Sequence, residues 1–225
     1  MNKIETMPSY IYEFDIPKDV TERALEYAKQ QDYSLGKYRP NYCSDRMNLH
    51  EDAELKEGID LIYDSIKRCV EVEKYDVREF KITTSRININ EPGQHHPAHD
   101  HPNCLLTCIW YLNDCDCDTI FFRKNEWHDN WLHLSPMGRS GGSQDGPNMT
   151  RWTQWYSESG EQLVDGYSPF IFHRQKTIAG KLVVFPPNML HLVTENKSKH
   201  NRYSLSLNTF PTKFGHRQHE VDFDI

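Results

Sequence analysis

Short strand-like segments separated by turn residues recur along the chain from Phe80 onwards, and this pattern limits the folds that the chain can adopt. Residues 81–90 alternate polar and apolar side chains, as in a strand with one buried face, and the segment Glu91-Pro-Gly93 ends the pattern. Further strand-like segments follow at residues 105–112, 119–123, 168–172, 181–185, 190–194 and 203–210. Many short strands with turn signals between them predict a β-sandwich or jelly roll.

The N-terminal part of the chain contains helical patterns instead. Residues 10–17 have the β-branched and aromatic composition of a strand, and a helix is predicted from residue 19 to about residue 30. A second helix is predicted over residues 53–72, because apolar residues recur there at steps of four and three: Leu55, Ile59, Ile62, Ile66 and Cys69. Residues 34–52 are polar and predicted to be irregular.

These patterns predict a mainly β chain with N-terminal helices, an α+β fold built as one domain over residues 1–225. The length of 225 residues lies within the range that all-β barrels and sandwiches occupy as a single unit. Residues 1–79 form the predicted helical support, residues 80–210 the β core, and residues 211–225 a polar tail.

An insertion at about residues 123–167 interrupts the rhythm of the strands. It has a centre rich in glycine and serine and carries Trp127, Trp131, Trp152 and Trp155. A disordered spacer does not normally carry so much aromatic surface. We expect either a lid or substrate wall, or structural padding.

The charge and the cysteines exclude several classes of protein. A formal net charge of −7 and the lack of a run of basic residues argue against a nucleic-acid binder and against a binder of anionic membranes. No apolar stretch approaches the roughly 18 residues of a membrane span, and the N-terminus does not resemble a signal peptide. The six cysteines form no C-x-x-C pair, so we expect reduced thiols in a cytoplasmic protein.

The densest group of potential metal ligands lies between Gln94 and Pro102, where four histidines occupy seven positions. Residues two apart on an extended backbone face the same side, so His99 and His101 can bind one metal ion while Asp100 points away. A strand and a Pro-Pro turn lead to His191, the predicted third ligand. Three imidazoles suit Fe(II), Zn(II), Cu(II) and Ni(II) alike. The alternative interpretation is a solvated loop.

A candidate site for an organic acid follows the last of these histidines. Arg202 lies eleven positions after His191 and shares a strand face with Ser204. An arginine that points inward from a core strand needs an anionic partner, and its guanidinium can hold a carboxylate through two parallel hydrogen bonds. Tyr111 ends another strand, and its hydroxyl is the candidate second contact for that carboxylate.

Four motifs in a fixed order carry a family resemblance: His99-x-His101, residues 107–113, residues 180–191 and Arg202-x-Ser204. Together they resemble the Fe(II)- and 2-oxoglutarate-dependent oxygenases, and most of all the prolyl-hydroxylase-like branch and the bacterial and phage members. The similarity covers residues 82–210, and the insertion is unmatched.

The resemblance implies a double-stranded β-helix, a jelly-roll or cupin-like fold that binds Fe(II) through H-x-D/E and a distal histidine. It implies that His99 and His191 are iron ligands, that Arg202 holds the far carboxylate of 2-oxoglutarate, and that Tyr111 assists it. Asn88 or Asn90 is implied to line the pocket. The implied reaction uses O₂ to hydroxylate an aliphatic C–H bond and releases succinate and CO₂.

The second ligand position departs from the family pattern, because this chain has His101 where the family has Asp or Glu. Three imidazoles with bound 2-oxoglutarate make a formally neutral centre, whereas the usual set makes a negative one, and this changes the preferred metal or the redox behaviour. Asp100 is the alternative ligand if a β-bulge turns it inward.

Two other functions fit the same residues. One is a three-histidine cupin-like dioxygenase that does not use 2-oxoglutarate, with Arg202 contacting a substrate carboxylate. The other is a jelly-roll binding or structural module without turnover. The primary substrate, a small molecule or a protein, and the oligomeric state are not predicted by the sequence.

Overall fold

The computed structural model describes residues 1–6, 9–36, 41–122, 171–215 and 220–223. The predicted insertion at residues 123–167 lies outside the described residues. The same holds for residues 216–219 and 224–225 of the predicted tail.

Two α-helices lie in the described N-terminal part of the chain, α1 (Lys18–Lys29) and α2 (Lys56–Val72), and the short 3-10 turns Leu49–Glu51 and Ala53–Leu55 precede α2. The apolar positions that predicted α2 are buried, among them Ile59, Ile62 and Ile66. Both helices pack on one apolar cluster together with side chains of the β-strands. Neither helix combines the length and the apolar composition needed to cross a bilayer.

The strands form two antiparallel sheets. The large sheet contains β1 (Asn2–Thr6), β2 (Ser9–Asp15), β3 (Tyr33–Leu35), β4 (Tyr42–Ser44), β5 (Val77–Asn90), β7 (Thr107–Tyr111), β10 (Lys181–Phe185), β12 (Arg202–Phe214) and β13 (Val221–Asp222). Its order is β1-β2-β10-β7-β12-β5-β4-β3, and β13 pairs with β12. The small sheet contains β6 (His96–His99), β8 (Cys115–Phe122), β9 (Ile171–Thr177) and β11 (His191–Val193). Its order is β6-β11-β8-β9.

The N-terminal part supplies strands to the large sheet as well as helices. β1 and β2 extend the sheet beyond β10, and β3 and β4 extend it beyond β5. The prediction that residues 34–52 are irregular was wrong for β3 and β4. These strands have only three residues each, which is too short for a clear sequence pattern. β4 is stabilised by pairing with β5, a contact that no local pattern predicts.

The alternation of side chains along β5 decides which residues face the space between the sheets. Ile87 and Ile89 point to the face covered by the helices and join their apolar cluster. Asn88 and Asn90 point to the opposite face, because successive side chains of a strand alternate. A second, smaller apolar cluster lies between the two sheets and includes Phe121 of the small sheet and Phe185 of the large one.

Candidate functional site

The three predicted histidines are brought together by the small sheet and the turn beside it. His99 ends β6 and His191 begins β11, and the two residues are direct partners in the register of these strands. The backbone N–H of His101 donates to the carbonyl of Pro187 at 2.8 Å, which fastens the residue to the Pro-Pro turn before His191. The pairing of β6 with β11 and one backbone hydrogen bond therefore bring together residues about ninety positions apart in the sequence.

The imidazole nitrogens of these histidines lie close together on one side of the cavity. One ligand atom from each of His99, His101 and His191 lies within 4.8 Å of the others. The Nε2 atoms of His101 and His191 are 3.4 Å apart. Two nitrogens bound to one metal ion at about 2.1 Å lie about 3.0 Å apart at a right angle and about 3.4 Å apart at a tetrahedral angle. The spacing therefore suits two nitrogens that share a metal ion.

Backbone carbonyls fix the orientation of two of the rings. Nδ1 of His99 lies 2.9 Å from the carbonyl of Pro97, and Nδ1 of His191 lies 2.9 Å from the carbonyl of Met189. A carbonyl only accepts, so each Nδ1 carries the proton and each Nε2 presents a lone pair. This is the second hydrogen bond that metal-binding histidines usually make.

Two neighbours of this group have other positions. Asp100 lines the same cavity but does not belong to the group of converging ligand atoms. His96 is buried, and its ring stacks on the ring of His99 with 4.3 Å between the centroids. His96 therefore packs against one of the three rings.

Arg202 lies on the facing strand β12 of the large sheet and is 1% exposed. Its Nη1 donates to Ser204 Oγ at 2.9 Å and to Asn90 Oδ1 at 3.2 Å, and its Nε donates to Thr177 Oγ1 at 3.3 Å. Each of these partners is neutral. Among the described residues no carboxylate pairs with Arg202, although a buried charge is costly without an opposite one.

Unsatisfied donors remain beside this guanidinium. Nη2 of Arg202 and Nδ2 of Asn90 are both buried and have no hydrogen-bond partner among the residues that the structure describes. Both atoms are donors that an oxyanion would satisfy. Asn90 and Arg202 are direct partners in the register of β5 and β12, so these two unused donors lie close together next to the cavity.

Tyr111 contributes its ring to this arrangement. The guanidinium carbon of Arg202 lies 5.3 Å from the centroid of the Tyr111 ring, a cation–π distance. The hydroxyl donates to Thr119 Oγ1 at 2.8 Å. Burial raises the pKa of Tyr111 to about 12, so the phenol keeps its proton at neutral pH.

Two residues of the site differ from what the sequence suggested. Asn88 lines the cavity as expected, but its amide donates to Ser206 Oγ at 3.0 Å and accepts from the Cys43 thiol at 3.3 Å. Thr177 was missed. A single threonine at the end of a strand carries no signal, and its role appears only when the end of β9 in the small sheet comes within hydrogen-bond distance of Arg202 on β12 in the large sheet.

The histidines and Arg202 line one cavity of about 390 Å³ between the two sheets. This volume falls within the range of small-molecule sites, about 300–1,000 Å³. The small sheet contributes the histidine side and the large sheet the arginine side. The arrangement can hold a metal ion and an organic acid next to each other.

A family model for 2OG-Fe(II) oxygenases matches residues 84–208, which is more than half of the chain. No curated protein sequence matches significantly. Similar solved structures include a viral collagen prolyl hydroxylase from Paramecium Bursaria Chlorella virus-1 in complex with 2OG. It has a TM-score of 0.53 and 13% identity over 90% of this chain and 97% of the other.

Two bacterial structures are similar to the same extent. A prolyl-4-hydroxylase from Pseudomonas putida aligns with a TM-score of 0.55 and 12% identity over 88% of this chain and 91% of the other. HygX from Streptomyces hygroscopicus, with nickel and 2-oxoglutarate bound, aligns with a TM-score of 0.59 and 10% identity over 90% and 83%.

These likenesses confirm the predicted double-stranded β-helix. The family match also favours an oxygenase that uses 2-oxoglutarate over the two other functions considered. These were a cupin-like dioxygenase that does not use 2-oxoglutarate and a binding or structural module without turnover. The chain belongs to the Fe(II)- and 2-oxoglutarate-dependent oxygenases.

Proposed function

We propose that this oxygenase hydroxylates an aliphatic C–H bond, with His99, His101 and His191 holding Fe(II) and Arg202 holding 2-oxoglutarate. One observation carries the proposal. Three converging imidazoles and a buried guanidinium with an unused donor line the same cavity. A divalent cation and a dicarboxylate would satisfy both sets of groups at once.

The donor atoms fit both groups chemically. Imidazole nitrogen is a good ligand for Fe(II), and three protein ligands leave positions open for a co-substrate and O₂. The distal carboxylate of 2-oxoglutarate would accept from Nη2 of Arg202 and from Nδ2 of Asn90, the two unused donors. With iron bound, the centre supplies the oxidation that couples conversion of 2-oxoglutarate and O₂ into succinate and CO₂ to insertion of one oxygen atom into the substrate.

The surrounding protein groups orient the proposed ligand side chains and exclude water from them. The carbonyls of Pro97 and Met189 hold the rings of His99 and His191 in one tautomer, which presents Nε2 to the cavity. Ser204 and Thr177 hold the guanidinium of Arg202 in place, and the Tyr111 ring covers it. The buried position of Arg202 keeps water from competing for its donors.

His101 gives the proposed centre a character of its own. A third neutral imidazole in place of a carboxylate makes the centre with 2-oxoglutarate formally neutral. Removing the anionic ligand weakens the electrostatic attraction for any divalent ion, and nitrogen ligands shift the preference towards Zn(II), Cu(II) and Ni(II). Metal selection at this site therefore depends on His101.

The test uses anaerobic protein reconstituted with Fe(II). Addition of 2-oxoglutarate is expected to produce a weak visible charge-transfer band, which reports the chelated co-substrate. His191→Ala and Arg202→Ala are expected to remove or strongly weaken the band. His200→Ala is the control, because His200 is exposed and its Nε2 contacts the carbonyl of Asp114 away from the cavity.

Two outcomes would contradict the assignment. A band of unchanged strength in His191→Ala would exclude His191 as a ligand, and unchanged 2-oxoglutarate affinity in Arg202→Ala would exclude Arg202 as the anchor. Formation of succinate under O₂, measured with the unchanged protein, checks that 2-oxoglutarate is consumed.

A further inference from the structure

A ladder of polar side chains runs along the cavity from the proposed anchor for 2-oxoglutarate to a second arginine. β5 and β12 pair in an unbroken register from Arg202 opposite Asn90 to Asn208 opposite Thr84. Alternation places every second residue of both strands on the cavity side. The third rung of this ladder pairs Ser206 with Arg86, and both residues line the cavity.

Most side chains of this ladder already bind one another. Asn208 accepts from Thr107 Oγ1 at 2.9 Å and donates to Thr84 Oγ1 at 3.0 Å. Ser206 accepts from Asn88 at 3.0 Å. These groups form a satisfied polar wall and need no ligand to complete their hydrogen bonds.

Arg86 is different from the other side chains of the ladder. It is half-buried in the cavity lining, and its guanidinium makes no hydrogen bond or ion pair with any residue of the described chain. A guanidinium offers five donors in a planar fork that matches a carboxylate or a phosphate.

The position of Arg86 separates it from the proposed co-substrate anchor. Arg86 and Arg202 are four residues apart along the paired strands, which corresponds to about 13 Å between their backbones. The two arginines therefore lie on different rungs of the same cavity wall. We infer that Arg86 binds a carboxylate or phosphate group of a small primary substrate, at the end of the cavity remote from Arg202.

The size of the cavity and the charge of the chain restrict that substrate. The volume of about 390 Å³ is near the lower limit for a small-molecule site. A formal net charge of −7 repels polyanions, so a single oxyanion group fits better than a nucleic acid. This inference rests on the proposed function, because it takes the Arg202 end of the cavity to be occupied by 2-oxoglutarate.

The experiment follows the arginine Nε–Hε signals of the full chain by NMR, after loading with Zn(II) as a redox-inert metal. Arg86→Lys and Arg202→Lys each remove one signal and so assign it. Addition of 2-oxoglutarate is expected to shift the Arg202 signal. Acetate and methyl phosphate are then titrated separately at millimolar concentrations, with acetamide as the neutral counterpart of acetate.

The Arg86 signal is expected to shift with acetate, with methyl phosphate or with both, and to remain unchanged with acetamide. A larger response to one anion identifies a carboxylate or a phosphate substrate. The signal of Arg78, on the same strand but paired with Glu220, is the control for nonspecific anion binding.

The outcomes separate the two claims. If the Arg202 signal does not shift when 2-oxoglutarate is added, the proposed function is contradicted. The inference about Arg86 alone is overturned if the Arg202 signal shifts with 2-oxoglutarate but the Arg86 signal does not respond to either anion. The same holds if the Arg86 signal shifts no more than that of Arg78. Equal shifts of Arg86 with acetamide and acetate also overturn it, because the site would not recognise charge.

Discussion

The Nε2 atoms of His101 and His191 lie 3.4 Å apart with their rings nearly parallel, at an interplanar angle of 4°. His191 presents the lone pair of Nε2 at this contact because its Nδ1 is hydrogen-bonded to the carbonyl of Met189. Two imidazoles at this distance need a proton or a cation between them. A metal ion that His99 also reaches meets this need.

Replacement of His101 tests the unusual ligand set. We expect His101→Ala to weaken Zn(II) binding by at least about 100-fold, because loss of a direct ligand costs more than loss of the groups that orient it. His101→Asp is expected to retain most of the affinity, since a carboxylate oxygen also binds divalent metals. Isothermal titration calorimetry measures both, with His200→Ala as the control. Wild-type affinity in His101→Ala would exclude His101 from the site.

Arg202→Met is expected to abolish the stabilisation of the protein by 2-oxoglutarate. Without the co-substrate, the variant should be at least as stable as the unchanged protein, because an apolar residue replaces a buried charge that has no carboxylate partner in the described chain. With metal and 2-oxoglutarate at one hundred times its Kd, the unchanged protein gains about 2.7 kcal/mol and the variant gains none.

Urea unfolding with and without the co-substrate measures this difference. Arg174→Met is the control, since Arg174 is a half-exposed residue paired with Asp118. Equal stabilisation of Arg202→Met and the unchanged protein by 2-oxoglutarate would contradict the assignment of Arg202.

Tyr111→Phe separates the ring of this residue from its hydroxyl. The hydroxyl donates to Thr119, so we expect a loss of about 1 kcal/mol in the free energy of unfolding. The ring that covers Arg202 is kept, and the Kd for 2-oxoglutarate should change less than threefold. A tenfold weaker binding would instead show that the hydroxyl contacts the co-substrate.

Gly58 of α2 tests the packing behind the large sheet. A Cβ atom at this position would lie 2.6 Å from ring carbons of Trp110, which is fully buried. Gly58→Ala gains about 1 kcal/mol of helix propensity but overpacks the core, which costs about 1–3 kcal/mol. We expect a net loss of about 1 kcal/mol in urea unfolding.

Lys67→Ala in the same helix is the control for this change, because Lys67 is exposed. A more stable Gly58→Ala variant would show that the Trp110 ring moves without cost.

The sequence predicted those parts of the fold that depend on local periodicity. The spacing of apolar residues predicted α2, and the run of apolar residues predicted β10 with its observed bounds. The Pro-Pro turn predicted the strand that begins at His191. Each of these patterns lies in a short continuous segment of the sequence, so it can be recognised without knowledge of the tertiary structure.

The remaining features depend on which strands become neighbours. Asn88 and Asn90 lie on the same face of β5, so alternation alone could not decide between them. The register of β5 against β12 places Asn90 opposite Arg202 and Asn88 opposite Ser204. Thr177 reaches Arg202 from a third strand, 25 positions away. Such contacts arise from pairings between distant segments, which no local pattern encodes.

The pairing of β5 with β12 also has a consequence for how relatives of this chain diversify. The backbone hydrogen bonds of a sheet fix the separation of Arg86 and Arg202, so no single substitution can bring their backbones closer. If Arg86 binds the primary substrate as proposed, moving this arginine along β5 while keeping it on the cavity side would shift its backbone in steps of two residues, about 7 Å. The length of the substrate that such a site accepts would then change in discrete increments.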